Sequence, residues 1–291
     1  MATATQSKLH SIDLHFRRRK IADRLAFIGL SACAGITVSM LLVILSYIIY
    51  RGATQIDWNF LTALPKPAGE PGGGIRNALV GSAIIVTLAC IMAMPIGIGT
   101  AIFLNEFPSL WFGRGIRFLA DVLTAVPSIV VGLAVYTLVV KPMGNFSGFS
   151  GSVAYAFIMI PIIVITAQEA LRLVPSNLRE ASLALGVPRW RTILRIVLPV
   201  SSRALLTGLI LAVARALGET APMLFTSLGN SFGNTDVSKP MATIPVVIYR
   251  YATGPYDDWH AQAWAAAFIL VVVILLASII TRFVIRSKFD E

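Results

Sequence analysis

Apolar residues in this chain do not alternate with polar ones at a helical or strand period; they run on. Six stretches stand out: Leu25–Tyr50, Asn77–Leu104, Phe118–Val140, Gly151–Ala167, Ala204–Leu228 and Ala261–Ile280. Each approaches the roughly 20 residues a helix needs to cross a hydrocarbon layer about 30 Å thick. The pattern predicts an all-α, polytopic membrane protein with six transmembrane helices. The first stretch follows the basic run Arg17, Arg18, Arg19, Lys20 and continues into Tyr47, Tyr50 and Arg51. A signal peptide has a shorter apolar core and a small-residue cleavage site, so a retained anchor is expected here.

The segments between the spans are unequal. Residues 51–76 contain Pro65, Pro67, Pro71 and Gly72-Gly73-Gly74 and read as an irregular loop. Residues 229–260 form a longer loop around the apolar piece Met241–Tyr249, which is too short to span and is expected to be re-entrant or docked. This gives a tail at 1–24, an anchor at 25–50, a loop at 51–76, a membrane core at 77–280 and a tail at 281–291. No internal repeat or low-complexity tract is present.

Charge supplies the orientation. The chain carries 24 Lys+Arg against 14 Asp+Glu, net +10, but these residues sit between apolar runs rather than along a solvated face. A nucleic-acid surface is therefore not expected, and membrane topology explains the bias better. Both tails and the segments holding Arg114 and Arg117, and Arg172 to Arg203, take most of the positive charge. That places both termini in the cytoplasm. The remaining basic loop residues, Arg51, Lys66, Arg76, Lys141, Lys239 and Arg250, fall outside.

Composition then excludes several classes. Hydrophobic residues make up 56% and charged ones 13%, where a soluble domain carries about 25% charged residues. A soluble enzyme, a disordered regulator and a disulfide scaffold are all ruled out. Cys33 and Cys90 lie inside apolar runs, and His10, His15 and His260 have no metal-ligand spacing, so no cofactor or metal is expected. No GxxxxGK[ST] phosphate loop occurs. The chain cannot hydrolyse ATP by that chemistry, and an energy-supplying partner is expected.

Two places can carry chemistry. The segment 175–199 predicts a helix–turn–helix elbow. In it Ser176 caps a first arm, Gly186 takes the left-handed position past that arm's end, Pro188 opens a second arm, and Pro199 closes it. Such an elbow is either an amphipathic interfacial connector or a lever for a soluble partner. The second place is the fifth stretch. Arg215 falls about 16 Å beyond Ala204 at the helical rise, near mid-membrane, with Glu219 one turn further. A cation at that depth must face the bundle interior or an aqueous path with a partner. The pair is either a structural ion pair or an oxyanion site, the guanidinium fork matching two phosphate oxygens. In the second case Glu219 neutralises Arg215 when the site is empty, and Pro222 hinges the helix by leaving the Gly218 carbonyl unbonded. Asp121 is expected to pair with Arg117, its i−4 neighbour.

The run Glu180-Ala181, Gly186, Ile196-x-Leu198-Pro199 resembles the EAA motif of ABC-importer permeases, with Ser182 where a second Ala is usual. Ala214 to Pro222, Pro95 to Phe107 and Ala125 to Gly132 are similar to segments of the phosphate-importing members of that family, the PstA type more than the PstC type. The resemblance implies a type I ABC-importer permease fold in a bacterial inner membrane. It implies Glu180, Ala181 and Gly186 as the coupling contact, and Arg215 and Glu219 in the substrate path. The partners it implies are a PstC-like permease, a PstB-like ATPase dimer that binds the ATP, and a PstS-like phosphate-binding protein. Another oxyanion as cargo, or a membrane enzyme or sensor, is the alternative.

Overall fold

The computed structural model describes the backbone of residues 2–67, 69–70, 72–107 and 111–287, with side chains described between 19 and 279. The side chains of the expected tails up to residue 18 and from residue 280, and Pro71 of the first loop, lie outside the described residues. The chain divides into two units, Met1–Tyr50 and Arg51–Glu291.

The first unit is helical throughout its described backbone, within α1 (Ala2–Gly52). Most of its described apolar side chains are exposed. Thr37 and Ser39 return their hydroxyls to the carbonyls of Cys33 and Ile36, each at 2.9 Å, leaving no polar hydrogen to lipid.

The second unit begins with the short α2 (Trp58–Thr62), whose start is capped by Asp57 accepting from the Phe60 N–H. Then follow α3 (Arg76–Glu106), α4 (Trp111–Ala125) and α5 (Ser128–Val135). A wide turn, Tyr136–Val140, carries α5 into α6 (Lys141–Met143), which ends at Gly144 with φ +73°. Next come α7 (Gly148–Arg172), α8 (Ser176–Ala184) and α9 (Arg189–Thr192), and a second wide turn at Ile193–Val197. The chain closes with α10 (Leu198–Leu217), α11 (Ala221–Thr226), α12 (Ile244–Ala252) and α13 (Asp257–Ser287).

Helix α7 is the centre of this unit. Small residues let its neighbours approach closely, which is how helices associate where lipid removes any hydrophobic gain. A Cβ at Gly97 of α3 would stand 2.6 Å from the Ile163 side chain, and one at Gly208 of α10 would overlap Thr166. Around them Ala89, Ala93, Ala154, Ala212 and Ala216 are fully buried with Met159.

Among the described residues, five helices are long and apolar enough to cross a membrane, and the pair α4–α5 makes a sixth if counted as one bent span. Two of the six expected spans are therefore not continuous. The third bends by 104° between α4 and α5, at Val126–Pro127. Proline there donates no N–H and drives the preceding residue out of the helical region. The fifth stops at Leu217 and resumes at Ala221. Pro222 does not hinge a continuous helix as expected. It lies in the first turn of α11, where its missing N–H costs nothing.

Other local expectations are also revised. Ser176 is the first residue of α8 rather than its cap; Pro175 holds the cap position and no side chain closes it. Pro199 does not end the elbow's second arm, which runs from Arg189 to Leu217 as one long helix. The wide turn before Pro199, in which the Leu198 N–H reaches the Ile193 carbonyl, absorbs the lost donor. Met241–Tyr249 is docked: α12 buries Ile244, Val246, Val247 and Tyr251, and the Ile244 N–H donates to Ser82 of α3 at 2.9 Å. In the loop before it, the Ser238 hydroxyl and N–H both donate to Asp236 and hold its carboxyl below the usual range.

Candidate functional site

The break between α10 and α11 brings the two expected path residues together. Arg215 occupies the last turn of α10, where the unpaired carbonyls favour a cation. Glu219 lies just past that end rather than one turn further along a helix, its N–H returning to the Ala216 carbonyl at 3.0 Å. The two side chains form an ion pair through Nη1 and Oε1. Burial divides them unequally: the Arg215 side chain is 56% exposed and that of Glu219 only 10%.

The helix faces explain the division. Gly208, Ala212 and Ala216 are buried in the unit, while Leu211 and Arg215, one turn apart, form an exposed face with Gly218. The carboxylate points inward and the guanidinium outward. Among the described residues, Glu219 is the acidic partner of Arg215. A guanidinium has five N–H donors in a planar fork, so most of its hydrogen-bonding capacity stays open.

Tyr155 holds the break in place and was not singled out from the sequence. It is fully buried in α7, and its hydroxyl donates to the Glu219 backbone carbonyl at 3.2 Å. That carbonyl lies between two helices and would otherwise be an orphan acceptor in the interior. The signal was available: a buried tyrosine hydroxyl in an apolar run needs a partner. On the other side, α11 rests on α5 through Gly132, where an added Cβ would stand 2.7 Å from the Pro222 Cα. The two broken spans thus meet at Gly132 and Pro222.

The elbow forms as two arms. Gly186 has φ +75°, the left-handed conformation expected between them, with no atom within 4 Å of where a Cβ would sit. Glu180, Ala181 and Gly186 are all exposed. Beside them Leu185 and Trp190 also face outward, and Arg191 lies over the Trp190 ring at 5.2 Å. Ser182, the departure from the usual motif, is buried and shares a hydrogen bond of 2.8 Å with the Thr192 hydroxyl on the opposite arm.

The expected Arg117–Asp121 pair does not form. Arg117 turns instead to α7, donating to Gln168 at 2.7 Å and pairing with Glu169 at 3.4 Å. Packing of α4 on α7 brings these acceptors closer than the intrahelical one.

The family model described as "Binding-protein-dependent transport system inner membrane component" matches residues 93–289, which include both broken spans and the elbow. The chain belongs to that family. The "Phosphate transport system permease protein PstA" of Yersinia pestis is 39% identical over 274 residues, covering 94% of this chain and 92% of that protein. The protein of the same name from Xylella fastidiosa (strain Temecula1 / ATCC 700964) is 41% identical over 247 residues, covering 84% and 86%. Among solved structures, a chain of the MetNI methionine ABC transporter aligns with TM-score 0.58 at 15% identity, covering 73% of this chain and 94% of that one. A chain of a bacterial ABC transporter that imports alginate aligns with TM-score 0.58 at 15% identity, covering 87% and 96%. These likenesses show the fold, that of an ABC-importer permease.

Proposed function

We propose that this chain is one of two permease subunits of an ATP-driven importer of inorganic phosphate, and that Arg215 lines the anion's path. The observation that carries the reading is the unequal burial of Arg215 and Glu219 at a helix break inside a span. An exposed guanidinium on an apolar helix face cannot rest against lipid without a cost of about 2.5–3.5 kcal/mol or more. It belongs against an aqueous path or a second subunit.

The division of labour follows from the chemistry. The buried carboxylate of Glu219 neutralises the cation while the path is empty, so Arg215 is not a lone charge within the span. It also weakens the grip on an arriving anion enough for that anion to leave. The free Nη and Nε donors of Arg215 take two phosphate oxygens at once. The names of the curated relatives support phosphate as the cargo.

The elbow supplies the power stroke in this reading. Glu180, Ala181 and Gly186, with Leu185 and Trp190, form an exposed knob that suits insertion into a cleft of a PstB-like ATPase dimer, which binds the ATP. A PstC-like permease covers the exposed face of α10, and a PstS-like protein delivers phosphate from outside. Both termini then lie in the cytoplasm of a bacterial cell, and this chain itself carries no enzymatic site.

Co-purification of the tagged chain from its own membranes, with identification of the accompanying subunits, tests this assignment. Phosphate uptake by vesicles holding that complex, challenged with excess sulfate, tests the cargo. Recovery of an ATPase and a second permease, with uptake that sulfate does not inhibit, is expected. Isolation of the chain alone, or inhibition by sulfate equal to that by unlabelled phosphate, contradicts the reading.

A further inference from the structure

Arg179 belongs to the first arm of the elbow, yet its guanidinium reaches back to two other helices. It forms an ion pair with Glu106, the last residue of α3. Its Nη2 donates to the Leu171 carbonyl in the last turn of α7 at 3.2 Å. Asn105, with its amide oxygen turned to the guanidinium, accepts from Nη2 at 2.9 Å and from Nη1 at 3.3 Å. The Arg179 and Glu106 side chains are only 21% and 18% exposed. This is a shielded, multidentate cluster rather than a surface pair of negligible weight.

The rest of the arm makes the cluster matter. Within α8 only Ser182 is buried, so the arm has no apolar face holding it to the spans. Ser182 ties it to the second arm through Thr192. Arg179 ties it to α3 and α7, and α3 lies along α7 through Gly97 and Ile163. Glu106 and Arg179 also line a cavity with Leu183, Arg189 and Thr192, so the cluster sits between the two arms and the end of α3. A displaced arm must either carry the end of α3 with it or break a shielded charge cluster, and the second is the costlier course.

We propose that Arg179 is a positioning residue of the transport cycle, a strut that transmits displacement of the elbow to the adjoining ends of α3 and α7. The strut rests on the reading of the elbow as the ATPase contact. Its role is to keep ATP turnover and anion movement in step, with no contact to the anion.

The test uses the whole complex in lipid vesicles and measures phosphate taken up per ATP hydrolysed. Glu106→Gln, Arg179→Gln and the exchanged pair Arg179→Glu with Glu106→Arg are compared with the parent. Both single variants are expected to retain the ATPase and its turnover while uptake per ATP falls about tenfold, and the exchanged pair is expected to recover much of the loss. An unchanged ratio in both assembled single variants overturns the proposal. Should the single variants fail to assemble, the exchanged pair decides: restored assembly and uptake support the strut, and failure to restore overturns it. Gly186→Val, read in parallel by ATPase retention, tests the elbow separately. An ATPase lost there, with an unchanged ratio in both assembled single variants, overturns the strut alone.

Discussion

The Tyr155 hydroxyl donates to the backbone carbonyl of Glu219 at 3.2 Å, across the gap where α10 has ended and α11 has not begun. A helix broken inside a membrane exposes backbone acceptors that lipid cannot satisfy. One buried side chain from the central helix answers that need and fixes the position of the carboxylate that pairs with Arg215.

Tyr155→Phe keeps the ring and removes the donor. The Glu219 carbonyl is then buried without a partner, which costs about 1–3 kcal/mol. The purified complex should melt several degrees lower while its subunits remain associated. An unchanged melting profile would mean that the hydroxyl does not support the break.

Ser182 and Thr192 join the two arms of the elbow through one shared hydrogen bond of 2.8 Å. Removing the Thr192 hydroxyl leaves that of Ser182 buried and unsatisfied, and removing the Ser182 hydroxyl leaves Thr192 only a long 3.5 Å bond to the Pro188 carbonyl, whereas removing both leaves neither unpaired. In a double-mutant cycle with Ser182→Ala and Thr192→Val, the combined loss of stability should be smaller than the sum of the single losses, by about 0.5–1.5 kcal/mol. Strict additivity would show that the arms are not held by this bond.

Gly186 separates steric from backbone effects. Gly186 has φ +75°, and a Cβ there would have no atom of this chain within 4 Å. The left-handed conformation alone costs a non-glycine residue about 1–2 kcal/mol, and Asn tolerates it better than most. Gly186→Asn should keep the ATPase bound, and Gly186→Val should reduce its co-purification. Equal retention in both variants would show that neither the turn nor the space beside it matters to the partner.

The spans were legible because length and apolar character alone define them. Their continuity was not. Pro95 and Pro161 lie inside unbroken α3 and α7, while Pro127 ends α4 from an equally apolar run. Composition cannot tell a tolerated proline from a break, because packing by neighbouring helices decides. Gly186 was legible since its role depends on its own backbone. The i−4 spacing of Arg117 and Asp121 does not decide the pairing, because the packing of α4 on α7 sets Gln168 and Glu169 beside Arg117. The Arg179–Glu106 pair joins residues far apart in sequence, and no local pattern announces it.

The most direct test is phosphate uptake by vesicles carrying the complete complex with Arg215→Gln, at matched protein content and with subunit association verified. Loss of a charge-assisted, two-pronged contact is worth about 1.5–3 kcal/mol. Uptake should therefore fall by about tenfold or more while the complex stays intact. Uptake at the parent rate from an intact Arg215→Gln complex would contradict the claim that this guanidinium lines the path.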